Sequence, residues 1–449
     1  MQIKVAGAGA GKTTNLANII SSLSFSEGKN TYCIAFSNSA TENISKRVNS
    51  TLKYIPKNLK ISTIHSFLFS EIIDPYYYWL YYKQFKKIST ISLPQEYIYR
   101  NQRISSLEQN NILHITKIPE RAKWVIYKKS TDNKTICNKR KQILSSITNY
   151  CDRILVDEAQ DIDEDMKKIL EVFDELGIDI ILFGDPKQDI HGRNCFRQLI
   201  EQSNEVEYIS ESYRCPPKHI VLSNLLTPDI EQQKSCSKNE GTVHVVYESQ
   251  IDNVNSFLSK SDFGLKYISR SNNRFATHMT FSNTRLNDLY FVIYSEIKSK
   301  WNKELSELRL KRISYYYSEY LIDVYAKNQD CSLAINYLVK KRIINRLDKQ
   351  KYAQICKIIE SKNQNNDLLV VQSIESVKGL ESDNCLFVLT TDLAPYLFQI
   401  KHDYNKTKNL LYVALTRSLN HLTILITNEV EEKYSKDFIE KFFAKYINR

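Results

Sequence analysis

The sequence predicts an α/β protein: two series of parallel, doubly wound strands, interrupted by two small, mainly helical insertions. Three observations lead there. Met1 to Thr14, MQIKVAGAGAGKTT, runs from an apolar strand into a glycine-rich loop ending in Lys-Thr. Apolar runs of strand length recur at Ile3–Val5, Tyr32–Phe36, Ile154–Val156 and Ile178–Phe183, each followed by a polar or glycine-containing loop and then a helical pattern such as Met166–Leu176. A chain of 449 residues is too long for one ordinary core. Alternation of this kind makes parallel sheets, in which the loops at the strand C-terminal ends carry the ligand.

Composition narrows the class. Hydrophobic residues at 42% and charged residues at 25% are ordinary for a globular protein, so the chain is expected to fold. A net charge of +11 suits a polyanionic partner, although such a balance is also common without one. The nine cysteines form no CxxC pair, which indicates neither a zinc site nor a disulfide framework and favours a reducing cytoplasm. No apolar run approaches a membrane span, and the N-terminus enters a strand without a charged and apolar leader, so no membrane partner is expected.

The first strand leads into Ala6-Gly7-Ala8-Gly9-Ala10-Gly11-Lys12-Thr13-Thr14, with Ala6 where the usual template starts in glycine. Glycines let backbone N–H groups turn toward an anion, and the helix beyond adds its positive end. Three of only ten glycines fall here. Lys12 is placed to reach the β and γ phosphates of a nucleoside triphosphate, and the Thr13 hydroxyl to ligate Mg²⁺. Further on, Ile154-Leu155-Val156-Asp157-Glu158-Ala159-Gln160-Asp161 is a buried strand ending in adjacent carboxylates. Asp157 can hold Mg²⁺, directly or through water, while Glu158 orients and deprotonates the attacking water, so hydrolysis is expected. The next strand ends in Phe183-Gly184-Asp185-Pro186-Lys187-Gln188, placing Gln188 to sense the γ-phosphate.

A second series is expected to begin near Val206, with strand candidates at Thr242–Tyr247, Met279–Ser282, Leu368–Gln372 and Cys385–Leu389. The stretches from about Phe67 to Ser145 and Lys298 to Asn363 read as helical insertions, and Val430 to Tyr446 as a charged amphipathic helix. In the second series, Glu211-Ser212-Tyr213-Arg214 and Tyr412-Val413-Ala414-Leu415-Thr416-Arg417 offer two guanidiniums for the charge of a transferring phosphoryl group. Singly each arginine reads as a surface ion pair; with Val377-Lys378-Gly379-Leu380-Glu381 they form a set. The ring cluster Pro75 to Lys83 reads as a small core, because adjacent rings on a helix diverge; the alternative is a stacking platform for single strands.

Taken in order, AGAGAGKT, AFSNSATENISKRV, STIHSF, ILVDEAQD, LFGDPKQ, ESYR, SVKGLES and LLYVALTR resemble the motifs of UvrD/Rep-type superfamily-1A DNA helicases, from residue 3 to about residue 425. The resemblance implies two RecA-like domains, ATP between them, and 3′-to-5′ movement along single-stranded or partly duplex DNA. It divides the chain into domain 1A (1–66 and 146–204), insertion 1B (67–145), domain 2A (205–297 and 364–449) and a reduced 2B (298–363). It implies that Gly7, Ala8, Gly9, Ala10, Gly11, Lys12, Thr13 and Thr14 cradle ATP, with Tyr213 on the adenine and Gly379 and Glu381 at the ribose. Thr13 and Asp157 would hold Mg²⁺, and Asp157, Glu158, Gln188, Arg214 and Arg417 would serve catalysis. Phe36, Asn38, Thr63 and His65 fall where the family touches DNA; His191 and Arg193 stand where it has a stacking Tyr and Trp. The family's short leading segment, whose Gln reads adenine, has no counterpart before the first strand, and Glu375 takes the place of a usual His. In compactness and in GDPKQ the chain is also similar to the helicase subunit of bacterial Gabija anti-phage systems, which implies a nuclease partner. Two alternatives stay open: a DNA-sensing regulatory ATPase subunit with little unwinding of its own, and a phosphate-loop kinase or small-molecule ATPase, which predicts no second arginine face.

Overall fold

A computed structural model describes residues 1–94, 97–260, 262–271, 274–277, 284–301, 304–360 and 369–447. It comprises two compact units, the first made of residues 1–249, 380–385 and 389–449, the second of 250–379 and 386–388.

The first unit holds a six-stranded, wholly parallel sheet in the order Leu59–Thr63, Asn30–Ala35, Cys151–Val156, Asp179–Gly184, Gln2–Ala6, Val206–Ile209. Side chains alternate across a strand, so each strand feeds two cores. Cys33, Ala35, Leu155, Ile181 and Phe183 face Leu16 and Ile20 of the helix Lys12–Ser22 and Ile44 and Val48 of the helix Asn38–Leu52. On the other side Ile3, Val5, Ile154, Val156, Ile180 and Leu182 face Met166, Ile169, Leu170 and Phe173 of the helix Glu164–Glu175. Coverage on both faces explains why these strands read as unbroken apolar runs.

The strand Val206–Ile209 corrects an expectation. It pairs with Gln2–Ala6, from Ile3 opposite Val206 to Ala6 opposite Ile209, and so closes the first sheet instead of opening the second series. The preceding helix Cys195–Gln202 buries Phe196, Leu199 and Ile200, which carries the chain back to that sheet edge. Nothing in the four residues Val-Glu-Tyr-Ile distinguishes the two sheets.

The first insertion is helical at Asp74–Tyr81, Tyr97–Gln109, Ile118–Ile126 and Lys134–Tyr150, with a short parallel strand pair, Lys87–Ser89 and Ile112–His114. Its ring cluster divides as helix geometry requires: Tyr77 and Leu80 are buried, while Tyr78, Trp79 and Tyr82 are exposed. The first unit also pairs Thr242–Tyr247 in parallel with Ser418–Ile426. The expected tail helix is two, Asn428–Tyr434 and Lys436–Ile447, because Ser435 between them turns to φ +57°.

In the second unit Leu265–Ile268 and Phe275–Thr277 pair in parallel with Leu369–Ser373. The helices Thr284–Trp301, Glu307–Asn328, Cys331–Lys340 and Lys349–Glu360 share a core that includes Leu289, Ile293, Leu310, Leu321, Ile335, Leu338 and Ile355. The strand expected at Met279–Ser282 lies outside the described residues. The mixed α/β architecture with two parallel-strand series fits two RecA-like domains. Among the described residues no helix is long and apolar enough to cross a membrane.

Candidate active site

The strand Gln2–Ala6 ends in a loop whose backbone only glycine adopts easily: Gly9 and Gly11 both lie at φ +72°. Gly11 precedes Lys12, the first residue of the helix, and no side chain caps its N-terminus, so its first N–H groups stay available to an anion. Gly9 is also a site of close approach: a Cβ there would stand 2.6 Å from Arg214 Cβ and 2.8 Å from Ser212 Oγ.

The end of the strand Cys151–Val156, separated from Gln2–Ala6 by one intervening strand, supplies the carboxylates. Asp157 is 2% exposed and accepts a hydrogen bond from the Glu158 N–H at 3.0 Å and one from the Thr13 side chain. Burial pushes its carboxyl up to about 6, the Glu158 charge adds to this, and Lys12 opposes it. Glu158 sits at φ +56°, turning its carboxylate to within 3.8 Å of Lys12 Nζ and into a hydrogen bond from Gln160. The structure therefore brings together Lys12, Thr13, Asp157 and Glu158. A helix N-terminus, a lysine, a hydroxyl and a dry carboxylate make a donor and ligand set that fits a Mg²⁺-bound triphosphate.

Gln188 is buried and its amide is committed to Asp185 Oδ2 at 2.9 Å. Arg214 packs on Gly9 and forms an ion pair with Glu381, while its Nε has no hydrogen-bond partner. Tyr213 is 66% exposed, with its ring edge 4.0 Å from where a Cβ on Gly11 would stand. Arg417 is only 2% exposed, and its guanidinium donates to Val413 O, Thr416 Oγ1 and Leu380 O. These bonds hold it at the end of its own helix. Thr14 accepts from Arg47 at 2.7 Å on the outside of the loop. Gly379 has φ +81°.

Sequence reasoning missed what surrounds the loop. The Tyr412 hydroxyl accepts from Ala8 N–H at 3.1 Å and donates to Gln233 Oε1 at 3.0 Å, while Gln233 Nε2 donates to Ala8 O at 3.1 Å. Ser212 Oγ donates to the same carbonyl at 2.8 Å, and Tyr213 N–H to Gly9 O at 3.0 Å. Burial pushes the Tyr412 phenol well above its ordinary range, which keeps it a donor. Beneath lies a buried ion cluster, Lys187 with Asp185 at 3.0 Å and Glu231 at 3.1 Å, with Arg197 also on Glu231. Tyr412 and Lys187 stand in motifs already singled out, LLYVALTR and GDPKQ; Gln233 and Glu231 stand in no motif.

Four of the DNA-contact candidates lie at or just beyond the C-terminal ends of two strands of the same sheet. Phe36 and Asn38 follow the strand Asn30–Ala35, with Ser37 between them accepting from Ala40 N–H at 3.1 Å to cap the helix. Thr63 ends its strand and caps the short helix holding His65. Burial holds the His65 imidazole below its ordinary value, Asp163 opposes this, and Arg193 lowers it further. Arg193 donates to Asp161 O, and His191 is exposed beside Asp189.

Residues 1–193 match the family described as an AAA domain. The Gabija protein GajB of Bacillus cereus (strain VD045) is 24% identical over 492 residues, spanning 97% of this chain and 94% of that protein. An arterivirus nonstructural protein 10, a helicase solved in complex with DNA, is 10% identical at a TM-score of 0.36, over 94% of this chain and 60% of that one.

Proposed function

We propose, from the premise that this chain resembles the superfamily-1 helicases and is a helicase-like ATPase related to GajB, that it is an ATP-driven 3′-to-5′ translocase or helicase on single-stranded or partly duplex DNA. Gly9, Gly11, Lys12 and the helix N-terminus would hold the phosphates, and Thr13 and Asp157 the Mg²⁺. Bound Mg²⁺-ATP supplies the phosphoanhydride whose hydrolysis drives the cycle. Glu158 would orient the attacking water and take its proton, Gln188 would sense the γ-phosphate, and Arg214 would leave Glu381 to meet the charge of the transferring group. Arg417 would have to leave its helix end to do the same. Phe36, Asn38, Thr63, His65, His191 and Arg193 would form the DNA path, suited to backbone and stacking contacts. The division into 1A, 1B, 2A and 2B is proposed with the boundaries above except that the strand Val206–Ile209 goes with 1A, whose sheet it joins, and nine free cysteines suit a cytoplasmic setting.

The observation that carries this reading is the phosphate loop hydrogen-bonded through Ala8 to residues more than two hundred positions away. Such wiring suits a motor, in which loop occupancy must be felt by distant segments. DNA is expected to stimulate ATP hydrolysis by the purified chain, and Lys12→Ala to abolish turnover. Translocation assayed on strands labelled at either end reads the direction; hydrolysis indifferent to DNA would sink the proposal. A second reading, a DNA-sensing regulatory ATPase subunit of a nuclease-containing defence complex, is favoured by the near end-to-end match to GajB and by Asp189-Ile190-His191-Gly192-Arg193 in place of stacking rings. Robust strand separation by the isolated chain would remove that reading.

A further inference from the structure

We propose that Cys331, Cys356 and Glu360, in the second unit, form a site for a soft divalent transition-metal cation, with Zn²⁺ as the reference occupant. The two sulfurs and a carboxylate oxygen all lie within 4.8 Å of one another. The cysteines stand 25 positions apart, a separation that no short metal-binding motif announces.

Local structure explains the convergence. Cys356 and Glu360 are four residues apart on the helix Lys349–Glu360, so both project from one face a single turn apart. Cys331 opens the facing helix Cys331–Lys340, whose entry is held by Asp330 Oδ1 accepting from Ser332 N–H at 2.7 Å. The Cys331 thiol donates to Glu360 Oε1 at 3.3 Å and lies 3.9 Å from Cys356 O. Where that shared proton sits, a cation would draw the sulfurs and the carboxylate inward.

The scaffold beneath is well packed. Cys331, Ala334, Ile335 and Leu338 are buried against Ile355 and Ile359, so the approach of the two helices is set by packing. Metal–sulfur and metal–oxygen bonds of roughly 2.3 and 2.1 Å need only small side-chain adjustments from this spacing. Three protein ligands leave a fourth tetrahedral position for water. Thiolates select Zn²⁺ over Mg²⁺, so this site would not compete for the ion at Thr13 and Asp157. On binding, the two thiol protons pass to solvent and no electron is exchanged. The bound ion would clamp the two helices independently of any nucleotide.

The test uses the full chain, stripped with a chelator, kept under reductant and titrated with Zn²⁺ against a chromophoric competitor. A single equivalent should bind. Alkylation of half-buried Cys356, followed residue by residue by mass spectrometry, should slow by roughly tenfold or more, while exposed Cys137 and Cys236 react as before. Co²⁺ should give the charge-transfer absorption of thiolate ligands. Glu360→Gln should weaken binding by roughly tenfold or more, and Cys331→Ser with Cys356→Ser should abolish it. Unchanged Cys356 alkylation at saturating Zn²⁺, or equal binding by the double variant, overturns the proposal. So does isolation of the pair as a Cys331–Cys356 disulfide that persists under reductant and excludes the metal.

Discussion

Asp157 shows how a single group trades stability for chemistry. Its carboxylate is buried beside Glu158, and burial first and that neighbouring charge second push it up to about 6. The folded chain therefore favours the protonated form, so ionisation weakens the fold above about pH 6, and the penalty is relieved as pH falls through that value. Asp157→Asn keeps the shape and an acceptor for the Glu158 N–H. In metal-free buffer at neutral pH it should raise stability by on the order of 1 kcal/mol, with hydrolysis lost. The advantage of the variant over wild type should shrink on acidification below about pH 6, as thermal melts across pH would read; a constant difference would mean the carboxylate is not strained. The grouping of Lys12, Thr13, Asp157 and Glu158 was readable in the chain, because each ends or follows a strand of one parallel sheet. The Lys187–Glu231 pair was not, since the partners lie 44 positions apart and an isolated Glu carries no mark of its partner.

Elements were legible where their pattern was local. Thr242–Tyr247 has the bounds its apolar run suggests, whereas the Val206–Ile209 run does not reveal which sheet it joins, because strand pairing depends on the edge available. The strand Ser418–Ile426 follows directly on the motif that ends at Arg417 and is not among the expected strands. The tail is the clearest case of a backbone detail overriding periodicity: apolar spacing continues through Ser435, yet its φ of +57° and ψ of 148° end one helix and start another. That region costs a side chain roughly 1 kcal/mol or more and is open to glycine. Ser435→Gly should therefore raise the thermal midpoint, by an amount corresponding to roughly 1 kcal/mol, without altering hydrolysis; a lowered midpoint would show that the Ser435 backbone is relaxed.

Across the molecule, the phosphate loop is held by residues drawn from 212 to 412. Tyr412, 404 positions from Ala8, supplies the hydroxyl that joins Ala8 to Gln233. Tyr412→Phe leaves a buried N–H and a buried amide oxygen each short of a partner, which should cost roughly 1–3 kcal/mol. Nucleotide binding should weaken as the loop loses its support, read by titration with a fluorescent ATP analogue. The effects of Tyr412→Phe and Gln233→Leu should be far from additive, whereas simple additivity would show that the hydroxyl does not bridge them. The α/β class, the two parallel-strand series and the carboxylates facing the loop follow from consecutive residues, because strand, turn and helix preferences act over a few positions. Which edge Val206–Ile209 joins, what grips Ala8, and that Cys331 meets Cys356 and Glu360 were settled by packing. Those contacts arise only when segments distant in the chain compete for the same buried space.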